Sequence, residues 1–200
     1  MAQYNIIAEN ENYTIVSDYE AVYRTSEKYQ TEAQLEQELI KNLTEQGYEY
    51  LAIHTEKDLE DKLRVQLQRL NDYTFTDSEW ERFFNDVIAN QNEGIEAKTA
   101  KIQEDHIQVL KRDTGETKNI YLIDKRNIHN NYLQVINQYE EEQGNHDARY
   151  DVSILVNGLP LVHIELKRRG VQLKEAFNQI DRYQRDSFWA TSGLYEYVQL

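Results

Sequence analysis

Asp151-Val-Ser-Ile-Leu-Val-Asn-Gly-Leu-Pro-Leu-Val-His-Ile-Glu-Leu-Lys167 predicts a β-hairpin with charged residues at its open end. Asn157-Gly158 lies at its centre, and both residues tolerate the positive φ angles of a two-residue turn. Folding the second strand back on the first brings Glu165 and Lys167 towards Asp151. Because residues i and i+2 of a strand share a face, Glu165 and Lys167 are expected to be neighbours.

The same alternation assigns a face to every residue of the second strand. The side expected to enter a core consists of Val162, Ile164 and Leu166. The other side consists of Leu161, His163, Glu165 and Lys167. His163 is therefore expected beside the charged pair, either in contact with DNA or solvent or as a hydrogen-bonded bystander.

Two carboxylates and a lysine at one place are the groups that a magnesium-dependent phosphodiester nuclease requires. Mg²⁺ prefers oxygen ligands and usually takes one or two carboxylates, so Asp151 and Glu165 are candidate ligands, with the backbone carbonyl of Leu166 as a third. Mn²⁺ is an alternative ion. Lys167 is the candidate catalytic lysine, which orients or deprotonates the attacking water or stabilises charge on the phosphate. An exposed hairpin with only a solvated Glu–Lys pair is the alternative.

The pattern Asp-(x)n-Glu-x-Lys on a hairpin resembles the PD-(D/E)xK, or restriction-endonuclease-like, nuclease core. More narrowly, residues 149–183 resemble the nuclease segment of the R (restriction, or motor) subunit of type I restriction-modification enzymes. The Asn-Gly-Leu-Pro turn contributes to this likeness. So does the next helix, whose Gln179 and Tyr183 match the family's QxxxY motif. Tyr150 stands where the superfamily often has proline.

The resemblance implies an α/β fold with a restriction-endonuclease-like core, in which helices flank a mixed β-sheet. It implies Mg²⁺-dependent cleavage of double-stranded DNA, coupled to translocation and to assembly with modification and specificity subunits. ATP would act only in a motor region that this chain lacks. Residues 1–200 would then form a single endonuclease domain, the N-terminal fragment of a longer protein, with weak or no activity alone. Ser192–Leu200 is expected to begin an apolar strand.

Two other functions remain open on the same residues. The first is a stand-alone DNA repair or junction nuclease of the same fold, which would need no downstream motor. The second is a docking module that keeps the fold without activity, and it predicts that metal neither binds nor stabilises the domain.

An amphipathic helix is predicted from Thr31, a plausible N-cap, to about residue 46, before Gly47. Its apolar stripe consists of Leu35, Leu39, Ile40 and Leu43. Glu32 and Glu36 fall within that stripe, and in nucleases of the resembled type a first-helix glutamate commonly faces the metal. The ordinary alternative, which suits Glu32 best, is a favourable interaction with the helix dipole.

Charge is distributed unevenly along the chain. The net charge of −14 argues against general nucleic-acid binding, because duplex affinity comes largely from basic residues. Residues 161–186 are nevertheless slightly basic, with six Lys and Arg against four Asp and Glu. The candidate DNA-binding residues in this window are Arg168, Arg169, Lys174 and Arg182. A basic window at the candidate site suits a domain that cuts DNA without holding it alone.

The remaining patterns predict short strands within residues 4–24 and a helical insertion before the sheet strands. The insertion has leucines at helical spacing over Asp58–Leu70. A capping box follows at Thr76-Asp-Ser-Glu79. The aromatic stripe after this capping box is expected to lie in the core. A hairpin is predicted from His106–Lys111 and Asn119–Asp124, and a polar helix at about 130–143.

Composition excludes several classes of protein. The 200 residues include no cysteine, so disulfides and thiolate metal sites are excluded, and the five histidines show no metal-ligand spacing. No apolar run approaches the roughly 20 residues of a membrane span, and the first residues do not read as a signal peptide. A cytoplasmic protein with no membrane partner is expected.

Overall fold

A computed structural model describes residues 5–9, 14–17, 30–141, 148–168, 173–183 and 193–199. The strands in these ranges are β1 (Asn5–Glu9), β2 (Thr14–Ser17), β3 (Glu49–Tyr50), β4 (Ile107–Lys111), β5 (Thr117–Tyr121), β6 (Leu133–Glu141), β7 (Ala148–Val156) and β8 (Leu159–Ile164). The α-helices are α1 (Glu32–Glu45), α2 (Glu56–Asn71), α3 (Asp77–Phe83), α4 (Ile95–Gln103) and α5 (Leu173–Tyr183). A π-helix, Phe84–Ile88, continues α3, and short 3₁₀-helices cover Ile128–Asn130 and Leu194–Tyr197.

Within the described residues, a four-stranded mixed sheet carries the predicted hairpin. Its strand order is β3-β6-β7-β8, with β3 parallel to β6 and the later pairs antiparallel. The pairs β1–β2 and β4–β5 are separate antiparallel ribbons, which confirms the short N-terminal strands and the β4–β5 hairpin. Helices flank the mixed sheet, so the predicted α/β class with a restriction-endonuclease-like core is confirmed.

Helix α1 follows its sequence pattern closely. The Thr31 hydroxyl accepts a hydrogen bond from the Gln34 amide, and the Gln34 side chain returns one from the Thr31 amide, which completes a capping box. The predicted apolar stripe is half-buried. Gly47, at φ 96°, takes the left-handed conformation that ends the helix.

The insertion between β3 and β6 contains α2 to α4 and the β4–β5 ribbon. Leu59, Leu63 and Leu67 of α2 are fully buried. The capping box at Thr76 and Glu79 is formed, and the aromatic stripe that follows it is core, as predicted. Helix α4 was not predicted, because two of its buried positions are lysines, Lys98 and Lys101, which pair with Glu196 and Glu93.

The Asn157-Gly158 turn between β7 and β8 is held by the insertion. Asn157 has a φ of 52° and Gly158 a φ of 85°, as expected for a two-residue hairpin turn. The buried Asn157 side chain accepts a hydrogen bond from the Tyr132 amide at 2.8 Å and donates one to the Leu122 carbonyl at 2.9 Å. These bonds fix the hairpin that carries the candidate site.

The predicted polar helix at about 130–143 is wrong, because this segment forms β6. Its Gln, Asn and Glu residues suggest a solvated helix, but Val135, Ile136 and Tyr139 are buried in the sheet. Pairing with β3 on one side and β7 on the other supplies the backbone hydrogen bonds. Tertiary pairing therefore overrides a local pattern.

The strand expected over Ser192–Leu200 is also wrong within the described residues 193–199. A 3₁₀-helix, Leu194–Tyr197, occupies this segment, and all of its residues are buried. Glu196 pairs with Lys98, and the Tyr197 hydroxyl donates a hydrogen bond to the Ile88 carbonyl at 2.9 Å. The burial of four consecutive residues by contacts with α4 and with the end of the π-helix accompanies the helical turn. No described helix is long and apolar enough to cross a bilayer.

Candidate active site

The open end of the β7–β8 hairpin brings Asp151, Glu165 and Lys167 together. Asp151 lies on β7, whereas Glu165 and Lys167 follow the last residue of β8. The Leu166 amide donates a hydrogen bond to Oδ2 of Asp151 at 2.9 Å. Nζ of Lys167 donates one to Oε1 of Glu165 at 2.7 Å. The three residues that the sequence singled out as a catalytic group therefore form one cluster.

The pKa values of the two carboxyl groups of the cluster are shifted in opposite directions. Burial raises the pKa of Asp151 to about 6, and the adjacent Glu165 adds to this, although the Leu166 amide opposes it. Burial also raises the pKa of Glu165, but contacts with His163 and Lys167 outweigh it, so the pKa ends below its usual value. Two adjacent carboxylates are thus charged together only above about pH 6.

The pKa of Lys167 is raised. Burial lowers it, but the hydrogen bond to Glu165 and the charges of Asp151 and Glu32 outweigh that effect. The Lys167 side chain is 17% exposed, so it is largely buried but retains some contact with solvent. At neutral pH it is therefore a fixed positive charge beside two carboxylates.

The cluster fits a hard divalent cation. Its donors are carboxylate oxygens, and the Glu165 side chain is 1% exposed. Among the described residues, Oε2 of Glu165 is buried and accepts no hydrogen bond, and it lies 3.6 Å from Nε2 of His163, so a lone pair remains available for a cation. No group of three or more His, Asp or Glu side chains in the described ranges is placed to hold a metal, but Mg²⁺ needs only one or two protein carboxylates.

Both candidate glutamates of α1 lie beside this cluster. Oε1 of Glu32 accepts a hydrogen bond at 3.2 Å from the amide of Arg168, the residue that follows Lys167. The Glu36 carboxylate accepts hydrogen bonds from the side-chain amides of Asn137 and Gln138 on β6. Glu36 is thus held by the sheet, whereas Glu32 is exposed and contacts the segment after β8.

Gln138 is a feature of the site that sequence reasoning missed. The pairs Asn137–Val152 and Tyr139–Tyr150 flank it, so Gln138 lies opposite Asp151 in the β6–β7 ladder. Its φ is 52°, a conformation that costs a non-glycine residue about 1 kcal/mol or more. Nothing in the local sequence signals this distortion, because the bond to Glu36 that accompanies it joins residues about a hundred positions apart.

Substitutions at Gln138 should separate the backbone strain from the hydrogen bond. Gln138→Ala keeps the backbone strain and loses the hydrogen bond to the Glu36 carboxylate. We expect it to lower the free energy of unfolding by about 1.5 kcal/mol. Gln138→Gly also loses the bond but removes the strain, so it should be more stable than the alanine variant by about 1 kcal/mol. Urea unfolding measures both. Equal stabilities of the two variants would contradict the strained conformation.

The structure places the remaining predicted residues as follows. Arg168 is exposed directly after Lys167, and α5 forms as expected, with Lys174 exposed and Gln179 half-buried. Arg169 lies outside the described residues, as do the side chains of Arg182 and Tyr183. Proximity of these last three to the cluster stays a prediction.

The expected facing of β8 is wrong in one respect. His163 is 6% exposed. Leu161 is half-buried, as Val162 and Ile164 are, but it packs against the main core. The 3₁₀-helix after α5 contacts β8, so Glu165 and Lys167 extend from the edge of the main core. His163 consequently contacts protein, with its Nε2 atom 3.6 Å from Oε2 of Glu165.

Comparisons with known proteins find similar sequences among subunits of restriction enzymes. A family model described as the N terminus of type I restriction enzyme R proteins matches residues 29–200. The type I restriction enzyme EcoprrI endonuclease subunit of Escherichia coli is 46% identical over 195 residues, which are 97% of this chain and 62% of that protein. The SsaAORF53P endonuclease subunit of Staphylococcus saprophyticus is 39% identical over 177 residues, which are 86% of this chain and 18% of that protein. The chain thus spans only part of both relatives.

Proposed function

Because this chain belongs to the family of type I restriction enzyme R protein N-terminal domains, we propose that it is a metal-dependent nuclease domain acting on double-stranded DNA. The observation that carries this proposal is the convergence of Asp151, Glu165 and Lys167 at the open end of one hairpin. The names of the two relatives, both endonuclease subunits, support it.

Each residue of the cluster has a role in the proposed reaction. Asp151 and Glu165 hold Mg²⁺ or Mn²⁺, with the Leu166 carbonyl as a further oxygen ligand. A bound divalent ion supplies a water of lowered pKa and neutralises charge on the phosphate. Because the pKa of Lys167 is raised, we assign it a positive charge that orients the attacking water and stabilises the phosphate oxygens, rather than the role of a base.

The proposal extends to the complete R subunit. Cleavage would be coupled to ATP-driven translocation by a motor region, in assembly with modification and specificity subunits. The word subunit in the relatives' names favours this reading over a stand-alone repair nuclease. Residues 1–200 would supply the nuclease domain and its basic residues near the site, and the other subunits would supply most of the DNA affinity.

Metal binding tests the site directly and should depend on pH. A ligand must lose its proton before it coordinates, so Asp151, with a pKa of about 6, should limit affinity at acidic pH. We expect Mn²⁺ to bind about tenfold more weakly at pH 5 than at pH 7, measured by calorimetry. Asp151→Asn should abolish saturable binding at both pH values.

A matched substitution and a stability measurement accompany this experiment. Asp61→Asn removes an exposed carboxylate that pairs with Lys57 on α2 and should leave Mn²⁺ binding unchanged. Since the folded-state pKa of Asp151 is raised, the ionised group destabilises the metal-free protein as pH rises from about 4 through about 6. Asp151→Asn should therefore be no less stable than the wild type at pH 7.5. Absence of metal binding in the wild type, with and without a short duplex, would favour the inactive docking module.

A further inference from the structure

His163 lies at the junction between the main core and the candidate active site. It is on β8, opposite Ser153 of β7, and its side chain is 2% exposed. Its Nε2 atom lies 3.6 Å from Oε2 of Glu165, an ion-pair distance that is longer than a hydrogen bond. Since Oε1 of Glu165 is bound by Lys167, the two oxygens of this buried carboxylate face two different basic side chains.

The imidazole ring is held in place by buried aromatic rings. The Tyr150 ring packs edge-on against it, with centroids 5.1 Å apart. Tyr150 in turn packs against Tyr195 at 4.5 Å, and the Tyr195 hydroxyl shares a hydrogen bond of 2.9 Å with Oγ of Ser153. All four side chains are buried, so the ring has little freedom to turn away from Glu165.

We propose that His163 is a positioning residue, whose Nε2 edge fixes the orientation of the Glu165 carboxylate for metal coordination. The inference rests on the proposed function, since it treats Glu165 as a ligand. A carboxylate has about four lone-pair sites, so contacts with His163 and Lys167 leave sites for a metal ion. Groups that orient metal ligands in this way commonly change metal affinity when they are replaced.

Two amide substitutions distinguish positioning from packing. The amide nitrogen of Gln approximates the place of Nε2, whereas that of Asn approximates the place of Nδ1, which does not face Glu165. In the 200-residue chain, His163→Gln should keep Mn²⁺ affinity within about threefold of the wild type, and His163→Asn should weaken it about tenfold or more. His163→Leu, which keeps bulk without a donor, should resemble His163→Asn. Circular dichroism and thermal melts establish that each variant is folded.

Equal Mn²⁺ affinities of the Gln variant and the Asn or Leu variants would overturn the inference. A double-mutant cycle of His163 and Glu165 in the metal-free protein distinguishes failure of this inference from failure of the proposed function. His163→Asn should cost more unfolding free energy in the wild type than in Glu165→Gln, because the charge that His163 faces is then absent. A wild type that binds no Mn²⁺ but shows this coupling would refute the nuclease site and retain the His163–Glu165 contact. Equal costs in both backgrounds would refute the contact itself.

Discussion

Under the proposed function, replacing Lys167 with alanine is expected to lower DNA cleavage by the assembled restriction enzyme about 10²–10³-fold or more. The Lys167 ammonium group lies 2.7 Å from Oε1 of Glu165, and its raised pKa keeps it charged at neutral pH. Removal of this charge would leave the developing negative charge of the transition state without the positive charge that we assign to Lys167. Single-turnover cleavage of a plasmid by the complete R subunit with its partner subunits measures the loss.

Our assignment makes the charge of Lys167 more important for cleavage than its ability to accept a proton. Lys167→Arg should then retain part of the activity, whereas the neutral Lys167→Gln should be as impaired as Lys167→Ala. Lys57→Ala, which removes an exposed lysine on α2, should cleave like the wild type. Equal loss in the Arg and Ala variants would instead assign Lys167 as a base, and normal cleavage in Lys167→Ala would exclude it from the reaction.

The β7–β8 hairpin was predictable because its main determinants are local. The Asn157-Gly158 turn joins the strands, and alternation along the chain after Ile164 brings Glu165 and Lys167 together. The one-residue register shift between Ile154 and Leu155 had no signal in the sequence. Helix α1 was predictable for the same reason, since its capping box and apolar stripe lie within a single segment. Sequence reasoning thus reached the residues that form the cluster without knowledge of what surrounds them.

The environment of the cluster was not predictable, because it depends on contacts between distant segments. Strand β6 is polar in part, and its pairing with β3 and β7 is what makes it a strand. Gln138 is bonded to Glu36, about a hundred positions away, and its left-handed conformation has no local signature. His163 becomes a neighbour of Glu165 within a buried cluster only when Tyr195, distant in sequence, packs against Tyr150.

Gly158→Ala is expected to destabilise the protein by about 2–4 kcal/mol, the largest stability effect of a single methyl group in the hairpin. Gly158 has a φ of 85°, which strains any residue with a Cβ atom. A methyl group built there would also lie 2.7 Å from Cα of Leu63, in the backbone of α2. A backbone atom of a packed helix cannot yield as a flexible side chain can, so the turn and α2 must separate. Urea unfolding measures the effect.

Gly115→Ala is the matched control, because it isolates backbone strain from the contact with α2. Gly115 has a φ of 87° in the β4–β5 turn, and a methyl group there would meet nothing within 4 Å. Gly115→Ala should therefore lower the free energy of unfolding by only about 1 kcal/mol. Equal losses in the two variants would show that Gly158 does not approach α2 closely. A larger loss in Gly158→Ala, together with weaker Mn²⁺ binding by the fraction that remains folded, would show that α2 holds the hairpin in the geometry on which Asp151 and Glu165 depend.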